Sequence, residues 1–316
     1  MMKTTNQSGT SPLAKKHKGG YLRRQKTAPY LFALPYFLIF LAFSVFPILF
    51  SGFISLNDWK GYNEPTFIGL QNYIEVFGDP RFYKALGNTL LLMVMIIPFQ
   101  LVLGFLLALF LNSKYMKLKK TFRLLNFLPY LTTPIALGVI FALLFDPAFG
   151  TVNQVLEWFG INAINWTKEV WPARALVSMV TVWRYTGYTA VLFMAGITNI
   201  NTDIYEASEI DGASSWQRTF RITLPLLKPV TTFVVLSTMI GCFQIFEEPF
   251  MIFNVAGKLV GGPNNSVLTG IWLFYDTAFS NQFRNGYAAA IAVCLFAVIA
   301  VISFVANKLM SGKEDG

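Results

Sequence analysis

The chain has 316 residues, of which 54% are hydrophobic and 13% charged, and its formal net charge is +9. Ordinary globular chains carry about 25% charged residues, so a soluble fold of this length would lack the polar groups that cover its surface. The apolar content also excludes a disordered chain. The composition therefore indicates an integral membrane protein.

Apolar segments divide the chain into predicted membrane spans. Residues 27–57, 85–113, 124–145, 229–246 and 285–307 contain no Asp, Glu, Lys or Arg, and a helix needs roughly 20 residues to cross a hydrocarbon core. A sixth segment, 175–202, is interrupted only by Arg184. Continuously apolar segments favour helices over the alternating strands of a barrel. We therefore predict an all-α membrane protein with six transmembrane helices.

The domain boundaries follow from these segments. Residues 28–310 form the predicted six-helix domain. Residues 1–27 are polar and rich in Ser, Thr, Lys and Gly, and they are predicted to be a flexible cytoplasmic tail. Residues 311–316 form a short C-terminal tail.

Lys and Arg set the predicted orientation. Seventeen of them fall in the N-terminal tail, the loop 114–123, the loop 203–228 and the C-terminus, against seven in the other loops. Cytoplasmic loops carry the excess of basic residues, so both termini are predicted to be cytoplasmic. The positive net charge is thus a topology signal, and no nucleic-acid partner is needed to explain it.

The sequence offers little for catalysis. It contains no G-x-x-x-x-G-K-[ST] phosphate loop and no G-x-S-x-G elbow. The single histidine is His17, in the predicted tail, and the two cysteines lie inside predicted helices. We predict no catalytic residue, no metal site and no cofactor in this chain. If the protein does energised work, the energy is expected to enter through another subunit or an ion gradient.

The segment 199–229 is the most informative cytoplasmic stretch. Asp203 with Glu206 and Ser214 with Gln217 suggest two capped helices, and Gly212 stands where the first helix would stop. Pro225 predicts that the second helix ends at Ile222. The local pattern alone leaves open a pair of helices that simply lies on the membrane surface.

The same segment resembles the EAA signature of the permeases of bacterial ABC importers. That signature reads Glu-Ala-Ala, three residues, Gly, nine residues, Ile, one residue, Leu-Pro, and Ser208 replaces the second Ala here. The resemblance implies a type I importer permease fold in which this segment (about 202–222) docks on an ATPase. The residues implied in ATPase coupling are Glu206, Ala207, Ser208, Asp211, Gly212, Ala213, Ile222, Leu224 and Pro225.

The surrounding sequence is similar to the carbohydrate-uptake branch of that family. The supporting stretches are APYLFALPYFLIFLAFSVFPI, FIGLQNYIEVFGDPRFYKALGNTL and LVGGPNNS. The resemblance implies a second homologous permease, two ABC ATPase subunits that bind ATP and Mg²⁺, and an extracytoplasmic sugar-binding protein. It also implies an oligosaccharide substrate and a place in the bacterial cytoplasmic membrane. One departure is Phe246-Glu247-Glu248-Pro249, where family members often have Phe-Asp or Phe-Asn.

Candidate residues for the substrate path lie in helices 4 and 5. Ionisable groups at membrane depth usually face the protein interior, and we expect Arg184, in the outer half of helix 4, to pair with Glu247 or Glu248 near the end of helix 5. Such a pair would be a polar wall of the cavity or only a structural lock. Aromatic rings and amides bind sugars, which adds Trp183, Tyr185, Tyr188 and Gln244 as candidates, although each aromatic would also suit a membrane interface.

Two other functions remain open at this point. A secondary transporter driven by H⁺ or Na⁺ would use Glu247 or Glu248 as its coupling carboxylate. Such transporters commonly show inverted repeats, which the sequence does not show, and the EAA segment would then be unexplained. A membrane-embedded enzyme is disfavoured because no nucleophile–base pair or metal cluster is recognisable.

Overall fold

The computed structural model describes residues 17–113, 116–255, 259–279 and 283–311, and these residues are predominantly helical. In chain order the elements are α1 (His17–Phe40), α2 (Phe46–Ser55), β1 (Asn57–Asp58), β2 (Thr66–Phe67), α3 (Gln71–Gly78), α4 (Pro80–Asn112), α5 (Lys119–Leu131), α6 (Pro134–Leu144), α7 (Thr151–Trp158), α8 (Val170–Thr198), α9 (Thr202–Ile210), α10 (Ser215–Arg218), α11 (Leu224–Leu226), α12 (Lys228–Phe243), α13 (Glu247–Val255), α14 (Gly270–Phe279) and α15 (Asn285–Ser311). Strands β1 and β2 form a two-residue antiparallel pairing in which Asn57 faces Phe67.

The chain divides into two compact units with the boundary after Phe53. In the first unit, α1 passes through a π-helical segment, Leu41–Val45, into α2. Helix α1 already begins at His17, inside the segment that the sequence predicts as a tail. Residues 1–16 and 312–316 of the two predicted tails lie outside the described residues.

Three helical stretches of the described residues are long and apolar enough to cross a membrane: Pro29–Ser55, Pro80–Asn112 and Asn285–Met310. Two bent pairs, α5 with α6 and α10–α11 with α12, raise the number to five if each pair is one span. Helix α8 matches the sixth predicted segment but, with Arg184 at its middle, is less apolar than these stretches and is not among them. The structure thus gives three to five candidate spans where the sequence predicts six.

The third predicted segment, 124–145, is not one straight helix. Helix α5 ends at Leu131, Thr132 and Thr133 are extended, and α6 starts at Pro134 with a bend of 93°. The proline ring clashes with a helical conformation of the preceding residue and cannot donate a backbone hydrogen bond. Pro129 and Pro134 predict a kink in this segment, and the kink is confirmed as a break between two helices at Pro134.

Helices α4 and α8 of the second unit pack along each other. Some of their buried side chains, including Leu92, Ile96 and Leu176, belong to a core that also contains Phe253 and Ile291. Close approach between helices depends on small residues. At Gly187 of α8, for example, an added Cβ would lie 1.7 Å from the carbonyl oxygen of Asn126 in α5.

Candidate functional site: a polar cavity and an exposed helical turn

A cavity of about 420 Å³ lies among α4, α5, α8, α12, α13 and α14. Five of the seven residues predicted for the substrate path line it: Tyr185, Tyr188, Gln244, Glu247 and Glu248. Its other polar lining residues, which the sequence analysis did not propose as ligands, are Gln100, Tyr130, Thr181, Thr189, Ser237 and Thr238. The cavity therefore combines aromatic rings with hydroxyl, amide and carboxylate groups.

A buried ion pair stands behind one wall of this cavity. Nη1 of Arg184 lies 2.5 Å from Oε1 of Glu248, and the two residues are only 8% and 4% exposed. The same Nη1 is 3.9 Å from Oε2 of Glu247, whose side chain is 59% exposed. The expected pairing of Arg184 with one of the two glutamates is confirmed, and the structure identifies Glu248 as the close partner.

Two details of this pair differ from the sequence prediction. The glutamates do not end the fifth predicted helix, because α12 stops at Phe243 and Glu247 opens a separate helix, α13. Between them the carbonyl of Ile245 is left outside a helix and accepts a 2.6 Å hydrogen bond from Thr269 Oγ1. The sequence predicts Arg184 in the outer half of its helix, which is the N-terminal half in the predicted orientation. In the structure Arg184 lies at the middle of the 29-residue α8.

Three tyrosines form an aromatic surface on the cavity. The rings of Tyr130 and Tyr188 are stacked, with centroids 4.9 Å apart and an interplanar angle of 18°. Tyr130 also meets Tyr185 edge-on at 5.7 Å, and the guanidinium carbon of Arg184 lies 5.4 Å from the Tyr185 ring centroid. Sugar C–H faces pack well on such rings. Pro129 and Pro134 indicate a bend close to Tyr130, but the sequence does not indicate which side chains the bend turns toward the cavity, so Tyr130 was not predicted.

Trp183 lies away from the other path candidates. It lines a separate, mostly apolar groove of about 1000 Å³ between α4, α5 and α8, and its ring meets Phe141 edge-on at 5.3 Å. Successive helical residues are rotated by about 100°, so Trp183 and Tyr185 point to opposite sides of α8. The helical phase could have separated these two residues, but the sequence alone did not say which side faces the cavity.

Gln100 has the interhelical role that polar residues in apolar helices often have. Its Nε2 donates to Thr189 Oγ1 at 2.9 Å and to Thr238 Oγ1 at 3.3 Å, which links α4 to α8 and α12. It is 4% exposed and also lines the cavity. One side chain thus both holds three helices together and forms part of the polar wall.

The segment after α8 folds as the predicted helix–turn–helix. Gly212 has φ +76°, a conformation that glycine adopts without a Cβ penalty. Its N–H donates to Glu209 O, and the N–H of Ala213 donates to Ser208 O at 2.9 Å, which is the bonding pattern of a Schellman C-cap. The second helix starts with the predicted capping box of Ser214 and Gln217.

Two local predictions in this segment were wrong. Asn201, not Asp203, caps α9, since its side chain accepts the backbone N–H of Asp203. The second helix does not end at Ile222. It widens into a π-helix over Thr219–Thr223, continues as α11 and bends by 66° before α12. A wider turn tolerates Pro225, which has no N–H to donate.

Several contacts hold the two short helices in a fixed arrangement. Arg218 forms an ion pair with Glu209 across the turn. The hydroxyl groups of Tyr205 and Thr223 are 2.9 Å apart, and Ser208, which is buried, donates to Tyr205 O. The hydroxyl at the position where the signature has alanine is therefore satisfied within its own helix.

The outer face of the same turn is apolar and exposed. Ile210 is 87% exposed and Trp216 is 72% exposed. The ring centroids of Trp216 and Phe220 are 4.1 Å apart. Glu206 and Ala207 are exposed on α9. A rigid turn with exposed apolar side chains is suited to contact with another protein.

The comparisons with known proteins agree with these features. The sequence profile of the family described as "binding-protein-dependent transport system inner membrane component" matches residues 77–313. The arabinooligosaccharides transport system permease protein AraP of Halalkalibacterium halodurans is 36% identical over 297 residues, which are 94% of this chain and 92% of that protein.

Two solved structures share the fold. A bacterial ABC transporter involved in the import of the acidic polysaccharide alginate has a chain with TM-score 0.78 and 22% identity, covering 94% of this chain and all of that one. A bacterial alginate ABC transporter in complex with an alginate pentasaccharide-bound periplasmic protein gives TM-score 0.76 at 22% identity, covering 93% and 98%. Together with the matched profile and the apolar helices, these findings show that the chain is a multi-pass membrane protein and belongs to the family of binding-protein-dependent transport system inner membrane components.

Proposed function

We propose that this chain forms one half of the translocation path of an ATP-driven oligosaccharide importer. The observation that carries the proposal is the cavity in which the stacked rings of Tyr130 and Tyr188 stand beside amide, hydroxyl and carboxylate groups. Such a wall suits a sugar, which needs hydrogen bonds at its hydroxyls and an apolar surface under its C–H face. The arabinooligosaccharide permease to which the chain is similar supports the same substrate class.

The proposed topology has six spans with both termini in the cytoplasm. The spans are 29–55 in α1 and α2, then α4, the bent pair α5–α6, α8, α12 and α15. Helix α8 is included although Arg184 interrupts its apolar run, because Glu248 compensates that charge inside the protein. The excess of Lys and Arg near the termini and in the loops 114–123 and 203–228 supports this orientation.

The helix–turn–helix of α9–α11 is the proposed contact with the ATPase. Its exposed face supplies Ile210 and Trp216 for docking, and Arg218 with Glu209 keeps the two helices in one rigid unit. A rigid turn can pass the closure of a partner into the membrane as a rigid-body movement. In this proposal the chain is not an enzyme, and ATP and Mg²⁺ bind to the partner.

The proposed assembly contains a second homologous permease, two ATPase subunits and an extracytoplasmic sugar-binding protein. The family description and the solved alginate transporter with its loaded periplasmic protein support this composition. The cycle is alternating access: the loaded binding protein docks outside, ATP closes the ATPase pair, and the cavity opens outward to take the sugar. Hydrolysis then returns the cavity to the inward-facing state.

The first test is sugar-stimulated ATP hydrolysis by the reconstituted complex. The permease is co-expressed with the second permease, the ATPase and the binding protein from the same organism. ATP hydrolysis is then measured with arabinotriose, lactose, polyols and glycerol phosphate. Stimulation by an oligosaccharide is expected. No stimulation by any of these, with no copurifying ATPase, would overturn the proposal in favour of a secondary transporter.

The coupling contact is tested by a matched pair of tryptophans. Trp216→Ala should reduce the amount of ATPase that copurifies with the permease, because it removes an exposed apolar anchor from the turn. Trp158→Ala is the control, since Trp158 is 83% exposed at the end of α7, remote in sequence from the turn. Equal retention of the ATPase by both variants would reject the docking surface.

The substrate path is tested at Tyr188. Tyr188→Ala removes one ring of the stacked pair and should strongly reduce uptake of the stimulating sugar. Tyr188→Phe keeps the ring against Tyr130 and should retain much more uptake, since aromatic packing and not the hydroxyl is the proposed contact. Equal uptake by Tyr188→Ala and wild type would remove Tyr188 from the path.

A further inference from the structure

The charges around the cavity do not cancel. Among the described residues that line it there are two carboxylates, Glu247 and Glu248, and no Lys or Arg. Arg184, which does not line the cavity, donates from Nη1 to Oε1 of Glu248 at 2.5 Å. The same guanidinium is 3.9 Å from Glu247, beyond hydrogen-bond distance. One guanidinium therefore faces two carboxylates, and the negative charge left over is on the cavity side.

The two glutamates differ sharply in their surroundings. Glu248 is 4% exposed and its charge is compensated within the protein. The side chain of Glu247 is 59% exposed, so its carboxylate is available to whatever enters the cavity. The two neighbouring residues thus differ in position: Glu248 joins two helices, and Glu247 is exposed on the cavity wall.

We propose that Glu247 makes this half of the cavity selective for uncharged oligosaccharides and against acidic ones. This proposal rests on the proposed function. A carboxylate accepts charge-assisted hydrogen bonds from sugar hydroxyl groups. A uronate, aldonate or sugar phosphate brought within several ångströms of it meets a like charge, which disfavours it by a factor on the order of ten.

The rest of the wall agrees with a neutral ligand. Recognition of carboxylate or phosphate groups normally uses the guanidinium fork of Arg or the ammonium of Lys. The described wall offers instead the stacked rings of Tyr130 and Tyr188 and the side chains of Gln244 and Thr238. These groups bind hydroxyls and C–H faces and do not compensate an anion.

The test uses two derivatives of one sugar that differ by a single charge. Arabinotriose is reduced to its alditol, which ends in a neutral CH₂OH group, or oxidised to its aldonate, which ends in a carboxylate. Uptake of each is measured in proteoliposomes that contain the complete importer and the binding protein. The quantity compared between variants is the ratio of alditol to aldonate uptake, so that any preference of the binding protein cancels.

Glu247→Gln should lower this ratio on the order of tenfold relative to wild type, because it removes the repelling charge and keeps the hydrogen-bonding shape. Glu247→Asp keeps the charge and should retain the wild-type preference. Glu157→Gln is the control, since Glu157 is an exposed carboxylate on α7 that does not line the cavity, and it should leave the ratio unchanged.

The uptake ratios of these variants either support or overturn the proposed role of Glu247. An unchanged ratio in Glu247→Gln, or an equal fall in Glu157→Gln, overturns it. If Glu247→Gln does not assemble, Glu247→Ala takes its place, and failure of both to assemble would show that Glu247 is structural, which also overturns the proposal. Failure of the proposed function is a different outcome, namely no sugar-stimulated ATP hydrolysis and no ATP-dependent uptake by the wild-type complex.

Discussion

Arg184 donates a 2.5 Å hydrogen bond from Nη1 to Oε1 of Glu248 and thereby joins the middle of α8 to the first turn of α13, 64 residues later in the chain. Both groups are almost completely buried. A charge at membrane depth is costly unless a partner compensates it. The pair therefore fixes the position of α13 and leaves Glu247, the residue before Glu248, facing the cavity.

Removing one member of this pair should destabilise the protein strongly. Arg184→Gln or Glu248→Gln leaves a buried charge without its partner, which costs about 3 to 5 kcal/mol. We expect a large fall in the midpoint temperature of thermal aggregation. This midpoint is measured by fluorescence-detected size-exclusion chromatography of the detergent-solubilised protein. The double variant should lose less than the sum of the two single losses, because neither charge then remains alone.

Glu247→Gln is the matched control for this prediction. Its carboxylate is 3.9 Å from the guanidinium and largely exposed, so the midpoint should change little. A loss equal to that of Glu248→Gln would contradict the assignment of Glu248 as the close partner.

Close packing of α5 against α8 depends on Gly187. A Cβ at this position would lie 1.7 Å from the backbone oxygen of Asn126, and backbone cannot move aside as a flexible side chain can. Gly187→Ala should therefore push the helices apart at a cost of about 1 to 3 kcal/mol or more. The measurement is again the thermal midpoint in detergent.

Gly87 is the control for Gly187, because it is also a helical glycine but has space for a Cβ. It is an exposed glycine in α4, and no heavy atom would lie within 4 Å of an added Cβ. Gly87→Ala should leave the midpoint unchanged or raise it slightly, since alanine in a helix is favoured by about 0.5 to 1 kcal/mol. A similar loss in both variants would show that packing is not what limits Gly187.

The sequence predicts much of this site because the relevant signals are local or electrostatic. An arginine in an apolar helix requires a partner, and only Glu247 and Glu248 are available at membrane depth. The turn at Gly212 and the capping box at Ser214 are determined within a few residues. These features could therefore be derived without coordinates.

Other features depend on how helices meet. The bend between α5 and α6 brings Tyr130 to the cavity, yet the apolar run 124–145 contains only Pro129 and Pro134 as hints of a break. Helical periodicity separates Trp183 from Tyr185, but the direction of each face depends on packing against α4 and α12. The break between Phe243 and Glu247 is stabilised by Thr269, 24 residues beyond the Ile245 carbonyl it binds.

An exposed ion pair predicts a pH effect outside the spans. Arg284 donates to both carboxylate oxygens of Glu75, at 2.6 and 2.5 Å, and these hydrogen bonds hold the pKa of Glu75 below its ordinary value of 4.5. Because the pKa is lower in the folded state, the stabilisation is complete above the unfolded-state pKa and is lost as the pH falls through the folded-state pKa.

The comparison of wild type with Glu75→Gln isolates this contribution. Their thermal midpoints should differ at pH 7 and converge as the pH falls below about 4.5. Glu64→Gln, at an exposed position in the loop between β1 and β2, should show no such convergence. A constant difference between wild type and Glu75→Gln down to pH 3.5 would mean that the ion pair does not contribute in the way the geometry indicates.

The turn at Gly212 gives the sharpest test of coupling. Proline cannot adopt the φ of +76° seen there and would remove the N–H that donates to Glu209 O. Gly212→Pro should therefore disrupt the turn that holds α9 against α10 without changing the packing of the membrane helices. We expect normal membrane insertion, loss of ATPase copurification and loss of sugar-stimulated ATP hydrolysis.

Gly160 offers the same chemical change elsewhere in the chain. It has φ +74°, its N–H donates to Glu157 O at 2.9 Å, and nothing lies within 4 Å of an added Cβ. Gly160→Pro thus introduces an equal backbone conflict just beyond α7, outside the proposed docking segment, and it should retain the ATPase. If Gly212→Pro kept sugar-stimulated hydrolysis, or if both variants lost the ATPase alike, the turn would not be the element that transmits ATPase closure to the cavity.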